Sequence, residues 1–342
     1  MSAHNLPTTL ACQLTLIITT SPTPSAPETE LISSILAAFN RHCTGLLSCR
    51  VIVVFDTYDR VGSEARLKRG QVTAEFARNY DLYKQNVKEL ILREFCSDMA
   101  GQKMEQENGS AEFGSPCMGS NCVPLLISRT TNRTVTFIEP ERRIGFGLAV
   151  RAALRLTETP YVWVQQHDWS LISDIPLRPL LEVMEASEHD ENVPVKYVCL
   201  PSVRMLAYAV SAHVVQFPVL NKLTAELKRD FSSKTEPEAQ MTLTPLFFWH
   251  DKPHIASTSH YLARVFPTRL AMSRGDFIED HIGQRARQQM KEGAWAKWAC
   301  WLYYPEDGRQ LCLRHLNGRT WRGTEREALK KALYLESQAK ET

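Results

Sequence analysis

The chain has 342 residues, 44% of them hydrophobic, which is ample for a packed core in one large α/β domain or two average ones and excludes wholesale disorder. Forty basic residues against thirty-eight acidic ones leave a net charge of +2, so no global field argues for nucleic acid or an anionic membrane surface as partner. The apolar run Leu14-Thr15-Leu16-Ile17-Ile18 is too short to span a bilayer and has no basic region before it, so neither a transmembrane segment nor a secretory signal is expected, and the protein is expected in the cytoplasm.

Leu14 to Thr20 is a β-branched apolar run that stops at Ser21-Pro22-Thr23-Pro24-Ser25-Ala26-Pro27, where the prolines forbid helix or central strand. Glu28 to Arg41 places Leu31, Ile35, Leu36 and Phe39 at helical spacing, with acidic residues in the first turn. Cys49 to Phe55 is again continuous and β-branched, ending at Asp56-Thr57-Tyr58-Asp59. Strand, helix and strand with both strands apolar throughout is the pattern of a parallel sheet covered on both faces.

Residues 60–130 interrupt that alternation and read as a helical and loop insertion. Tyr80 to Cys96 is amphipathic, and Ser97 to Cys122 reads as a mobile loop rich in Gly, Ser and Glu. Val135 to Ile138 resumes the sheet. Ile144 to Thr157 is a helix with a glycine-containing entry, and Tyr161-Val162-Trp163-Val164 is a buried strand running into Gln165-Gln166-His167-Asp168-Trp169. Open α/β sheets place chemistry at such carboxyl ends. Further on come a helix near Arg178–Glu188, strands at Tyr197–Leu200 and Leu243–Trp249, a helix from Gly283 to Trp298, an aromatic strand to Tyr304, and a charged C-terminal helix over 326–342.

Several tempting features have plainer readings. The nine cysteines are odd in number and sit in apolar contexts, as reduced core residues do, and Cys117 and Cys122 lack a second ligand pair for zinc. Gly145-x-Gly147 lacks the third glycine and the acid of a dinucleotide fingerprint. No pair among His250, His254, His260 and His281 has the spacing of a zinc site, and Trp295, Trp298 and Trp301 read first as core. Asp168, Asp56 and Glu279-Asp280 could each be a turn or helix-start residue.

Taken together, the strand ending at Thr20, the strand ending in Asp56, the glycine-containing helix feeding a strand that ends in Asp168, and the late Glu279-Asp280 pair resemble the GT-A fold of nucleotide-sugar glycosyltransferases, in particular the large inverting family that includes cellulose and chitin synthases. The resemblance covers roughly residues 12–285 outside the insertion. It implies a single Rossmann-like α/β domain over 10–325, with a mostly parallel central sheet and helices on both faces. It also implies a glycosyltransferase that moves a sugar from a nucleoside diphosphate to an acceptor hydroxyl, with inversion.

Carried onto this sequence, the family's pattern puts Thr20, Ser21, Pro22 and Asp56 at the nucleoside, Arg143, Gln166 and His167 along the rest of the donor, and Asp168 at a divalent metal, Mn²⁺ or Mg²⁺. Glu279 or Asp280 then serves as base. His315 is a candidate second metal ligand, and His167 a possible nitrogen ligand, which would suit Mn²⁺. If no metal took part, Arg142, Arg143, Arg151 or Lys252 would have to meet the diphosphate charge. Two departures stand out: Gln166 replaces the first aspartate of the metal motif, and Gln284-x-x-Arg287 is followed by Gln288 where processive synthases carry tryptophan. The rival expectations are a non-catalytic sugar- or nucleotide-binding relative and a sugar-phosphate nucleotidyltransferase. The prolines of 21–27 argue against the latter, which usually carries a glycine-rich basic loop there.

Overall fold

The computed structural model describes residues 9–96, 103–114, 121–233, 235–238 and 240–329. Its strands, in chain order, are β1 (Leu14–Thr20), β2 (Arg50–Phe55), β3 (Arg60–Val61), β4 (Gln71–Val72), β5 (Met104–Glu112), β6 (Cys122–Thr130), β7 (Val135–Pro140), β8 (Tyr161–Gln166), β9 (Trp169–Leu171), β10 (Tyr197–Cys199), β11 (Arg229–Ser232), β12 (Gln240–Pro245), β13 (His254–Ser257), β14 (Cys300–Tyr303) and β15 (Leu313–His315). Eleven of them form one sheet in the order β11-β12-β14-β10-β13-β8-β1-β2-β7-β6-β5. At its centre β8, β1, β2 and β7 run parallel, while β13 inserts antiparallel between β8 and β10.

This is the expected α/β architecture. All seven residues of β1 are buried, so both faces of the central sheet are covered and an apolar run without alternation is what the position demands. The helix Phe146–Leu156 packs on β1 and β2, and the helix Ala74–Phe95 lies against β2 and β7. Phe39, from the helix Glu30–His42, meets Trp163 of β8 edge to face at 6.4 Å. Trp295, Trp298 and Trp301 are core residues, each at most 1% exposed.

The passage expected as a loop from Ser97 to Cys122 differs. Residues 104–112 pair antiparallel with β6, which pairs in turn with β7, so they extend the sheet as its edge strand. Glu105, Gln106, Glu107 and Asn108 are exposed, which is why the segment reads as loop: an edge strand open to solvent needs no apolar alternation. Cys117 and most of the C-terminal 326–342 segment lie outside the described residues, whose last helical stretch covers 324–329. Among the described residues no helix is long and apolar enough to cross a membrane.

Candidate functional site

Parallel strands deliver their carboxyl ends to one edge, and the register makes the meeting exact at residue level. Thr20 pairs with Phe55 and Thr19 with Gln166, so Thr20-Ser21, Asp56 and His167-Asp168 come out side by side. A cleft of about 720 Å³ opens there, within the range of small-molecule sites. Thr20, Ser21, Pro22, Asp56, Arg143, Gln166, His167, Asp168, Glu279 and His315 all line it. Ten of the eleven candidate residues are thus brought together. Asp280 is exposed and does not line the cleft.

His167 and Asp168 point to different tasks. His167 Nδ1 accepts the Ser21 N–H at 3.2 Å and lies 2.8 Å from the Thr20 hydroxyl, which is itself 2.7 Å from the Tyr83 hydroxyl. A backbone N–H can only donate, so Nδ1 carries no proton and the imidazole is neutral with its proton on Nε2. Burial, which pushes its pKa down, agrees. His167 is therefore a brace between β1 and β8, and the expectation that it might ligate a metal is corrected: Nδ1 is occupied and Nε2 faces Gly318.

Asp168 Oδ2 accepts the Gly318 N–H at 3.1 Å and stands 3.1 Å from His315 Nε2. Burial works to raise this carboxyl, but the His315 hydrogen bond and the Gly318 N–H outweigh it and hold the pKa at about 2. His315 arrives from 147 residues downstream because β15 pairs antiparallel with β9, setting His315 opposite Trp169 with the rings 4.6 Å apart. The Leu316 N–H then bonds the Asp168 carbonyl at 2.7 Å, closing a turn against it. Gly318 is required by close approach: a Cβ there would lie 2.5 Å from His167 Nε2.

Among the described residues no group of three or more His, Cys, Asp or Glu side chains converges as a metal site. Asp168 and His315 nevertheless form an adjacent oxygen–nitrogen donor pair. The carboxylate is held ionised, and its Oδ1 has no protein hydrogen bond among the described residues. Asp168 and His315 are the residues that would hold a divalent ion, which would supply positive charge at this end of the cleft.

Asp56 is 8% exposed, and its two oxygens accept the Ile144 and Gly145 N–H groups at 2.7 and 3.1 Å. Burial raises its pKa to about 6 against the lowering effect of those bonds and of Arg143. The residue thus anchors the entry of the helix Phe146–Leu156 as well as lining the cleft. Of the residues considered as metal-independent partners for a diphosphate, Arg143 and Lys252 line the cleft, Arg142 is exposed outside it, and Arg151 is 2% exposed with its Nη1 on the Arg269 carbonyl. The last two are removed from that role. Arg204 and Arg319 line the cleft instead.

Elsewhere in the cleft lining, Glu279 opens a π-helical turn, Glu279–Gly283. Its Oε2 is 3.6 Å from His250 Nδ1 and accepts the Asp251 N–H at 3.4 Å. The adjacent His250, followed by the Lys252 charge and the Asp251 N–H, outweighs burial and keeps its pKa below the ordinary glutamate value. Gln166, which stands where the metal motif would supply a first aspartate, donates to the Asp251 carbonyl at 2.8 Å and ties the end of β8 to the segment that bonds Glu279. Asp251 was missed from sequence, although the signal was there. It ends the apolar run Leu246 to Trp249 just as Asp56 and Asp168 end theirs.

No protein-family model matches the chain, and no curated protein does. Among the solved structures that are similar to it over much of its length are the following. S. aureus TarS shares 10% identity at a TM-score of 0.40, covering 88% of this chain and 36% of its own. The mannosyltransferase PcManGT from Pyrobaculum calidifontis, in complex with GDP-Man and Mn²⁺, shares 13% at 0.39, covering 87% and 58%. Glucosyl-3-phosphoglycerate synthase from Mycobacterium tuberculosis, in complex with Mn²⁺, UDP-glucose and phosphoglyceric acid, shares 13% at 0.32, covering 92% and 74%. The chain spans just over a third of the first and less than two thirds of the second. At these values the likenesses are loose.

Proposed function

We propose that the chain is a GT-A-type glycosyltransferase that moves a sugar from a nucleoside diphosphate to an acceptor hydroxyl with inversion at the anomeric carbon. The observation that carries this reading is that one cleft is lined both by the Asp168–His315 donor pair and by Glu279, a carboxylate of lowered pKa. We assign the nucleoside to the end formed by Thr20, Ser21, Pro22, Asp56 and Arg143, and the diphosphate to the region of His315 and Arg319. A single domain over 10–325, with 60–130 as an elaboration, is the matching organisation.

When bound, Mn²⁺ or Mg²⁺ on Asp168 and His315 would neutralise charge on the leaving diphosphate. Glu279 takes the proton from the acceptor hydroxyl as its oxygen forms the new bond to the anomeric carbon. The bond from that carbon to the phosphate oxygen breaks, and its electron pair leaves with the diphosphate. Asp280, exposed, is not needed for this sequence. The described cysteines are all free, which suits a reducing compartment such as the cytoplasm.

Thermal shift with UDP, GDP and their sugars, with and without Mn²⁺, tests the binding half. No stabilisation by any of them sinks the proposal. Donor turnover, even as slow hydrolysis, separates the enzyme from a non-catalytic binding relative with the same cleft.

A further inference from the structure

Behind Glu279 lies a group of buried polar atoms that the transfer chemistry leaves unused. Asp251 is 3% exposed; its Oδ2 accepts the Glu279 N–H at 3.3 Å, while its Oδ1 has no partner among the described residues. Trp249 Nε1, His254 Nε2 and the Tyr261 hydroxyl are likewise buried and unpartnered, on side chains that are each 0% exposed. Their rings stand together: Trp249 to Tyr261 at 4.9 Å, His254 to Tyr261 at 5.6 Å and Trp249 to His254 at 6.3 Å. Buried polar groups are nearly always satisfied, by protein or by ordered water, and orphans on three rings in contact, with the Asp251 carboxyl as an electrostatic neighbour of Tyr261, call for ordered water.

The donor and acceptor count identifies that partner. His254 Nδ1 lies 2.7 Å from the Lys252 carbonyl, which only accepts, so Nδ1 carries the proton and Nε2 is an acceptor. Trp249 Nε1 only donates, and the Tyr261 hydroxyl does either. If Asp251 carries a proton on Oδ1, one water satisfies all four: it accepts from Trp249 and Asp251 and donates to His254 and Tyr261. If Asp251 is ionised, one water again meets all four, accepting from Trp249 and Tyr261 and donating to His254 and Asp251, but a second buried charge then sits beside the Glu279 carboxylate, the two residues accepting each other's backbone N–H at 3.3 and 3.4 Å, with no ion pair of its own among the described residues.

We propose that Asp251 is a positioning residue for Glu279: a neutral carboxylic acid that receives the Glu279 N–H on Oδ2 and donates from Oδ1 to a single water enclosed by Trp249, His254 and Tyr261. The titratable groups around it are Glu279, Asp280, Lys252, His250, His254 and Tyr261. Burial and the Glu279 charge push Asp251 well above the usual carboxylate range, while Glu279 is held below its own. Two neighbouring carboxyls driven apart in this way keep a single negative charge between them, on Glu279, the more exposed of the two. The role of Asp251 rests on Glu279 being the base; its proton and the enclosed water do not.

The infrared difference spectrum of wild-type protein minus Asp251→Asn at pH 7 reads the proton directly. A protonated-carboxyl C=O band belonging to the wild type is expected, and carboxylate bands in its place overturn the proposal. Should Asp251→Asn fail to fold, Tyr261→Phe serves, since it removes one partner of the water and is expected to shift the frequency of that same band; an absent or unmoved band overturns the proposal. For function, the acidic limb of donor turnover against pH reports Glu279. Asp251→Leu is expected to lower kcat by roughly 10²-fold through misplacement of the base, with donor KM held and recovery in Asp251→Asn. The limb keeps its position in Asp251→Asn, whereas loss of an ionised neighbour would move it down by on the order of one pH unit and overturn the proposal. A carboxyl band in a protein that turns over no donor would leave Asp251 neutral and remove the glycosyltransferase reading instead.

Discussion

At the scale of single residues the cleft separates groups that hold from groups that react. Glu279→Gln is expected to lower turnover by roughly 10²- to 10⁴-fold while nucleotide binding, followed by thermal shift, persists. Loss of binding together with turnover would place Glu279 at the donor. His315→Ala removes the nitrogen of the donor pair and a hydrogen bond to Asp168. Its expected effect is weaker stabilisation by a nucleoside diphosphate in the presence of Mn²⁺ and little change without the ion, by a factor of roughly 10 to 100 in metal affinity. Identical titrations with and without His315 would take it out of the metal site. Gly318→Ala presses a Cβ onto His167 Nε2 and the Asp168 Cβ, so turnover should fall further than melting temperature. Asp168 was legible in sequence because a buried strand ended on it. That Gln166 ties the end of β8 to the segment that bonds Glu279 was not, since its partner is a backbone carbonyl 85 residues away.

At the scale of elements, the most exacting contact is a crossing of two loops. Gly145, the N-cap of the helix Phe146–Leu156, has φ 84°, and a Cβ on it would lie 2.5 Å from the Gly275 backbone. The Gly275 N–H bonds the Ile144 carbonyl at 2.8 Å, and Asp56 holds the Ile144 and Gly145 N–H groups from the other side. The crossing joins the helix entry to the segment that leads into Glu279. Gly145→Ala is expected to cost about 1–3 kcal/mol from the backbone strain, before the clash is added, read as a lowered denaturation midpoint. A midpoint equal to wild type would mean that the loops can separate without penalty. The helices and central strands were readable because their apolar spacing repeats locally. The edge strand β5 was not, because its stability comes from hydrogen bonds to β6 rather than from a pattern of its own.

For the whole molecule, buried titratable groups set how stability depends on pH. His254 is 0% exposed, and burial lowers its pKa from 6.5 to about 3. The unfolded chain then binds more protons between those values, so its contribution is complete above pH 6.5 and is lost as pH falls, by about 1.4 kcal/mol per unit. His250, lowered to about 4 by burial, acts in the same direction. Asp56, raised from 3.8 to about 6, acts in the opposite one, because the folded form holds the extra proton and stability falls as pH rises through that window. With four histidines lowered by burial, His167, His250, His254 and His260, against two raised carboxyls, Asp56 and Asp251, net destabilisation is expected from pH 6.5 toward 5 in chemical denaturation. A denaturation midpoint that rises over that interval would show that raised carboxyls such as Asp56 and Asp251 dominate. Composition and apolar patterning by themselves determined an α/β chain with strands ending at Thr20, Asp56 and Asp168, since burial on both faces leaves a local signature. Only the tertiary structure decided that His315 meets Asp168, that Asp280 turns away while Glu279 faces the cleft, and that Asp251 stands behind it. Those contacts are made by strand pairing and chain crossings between distant segments, which no local spacing encodes.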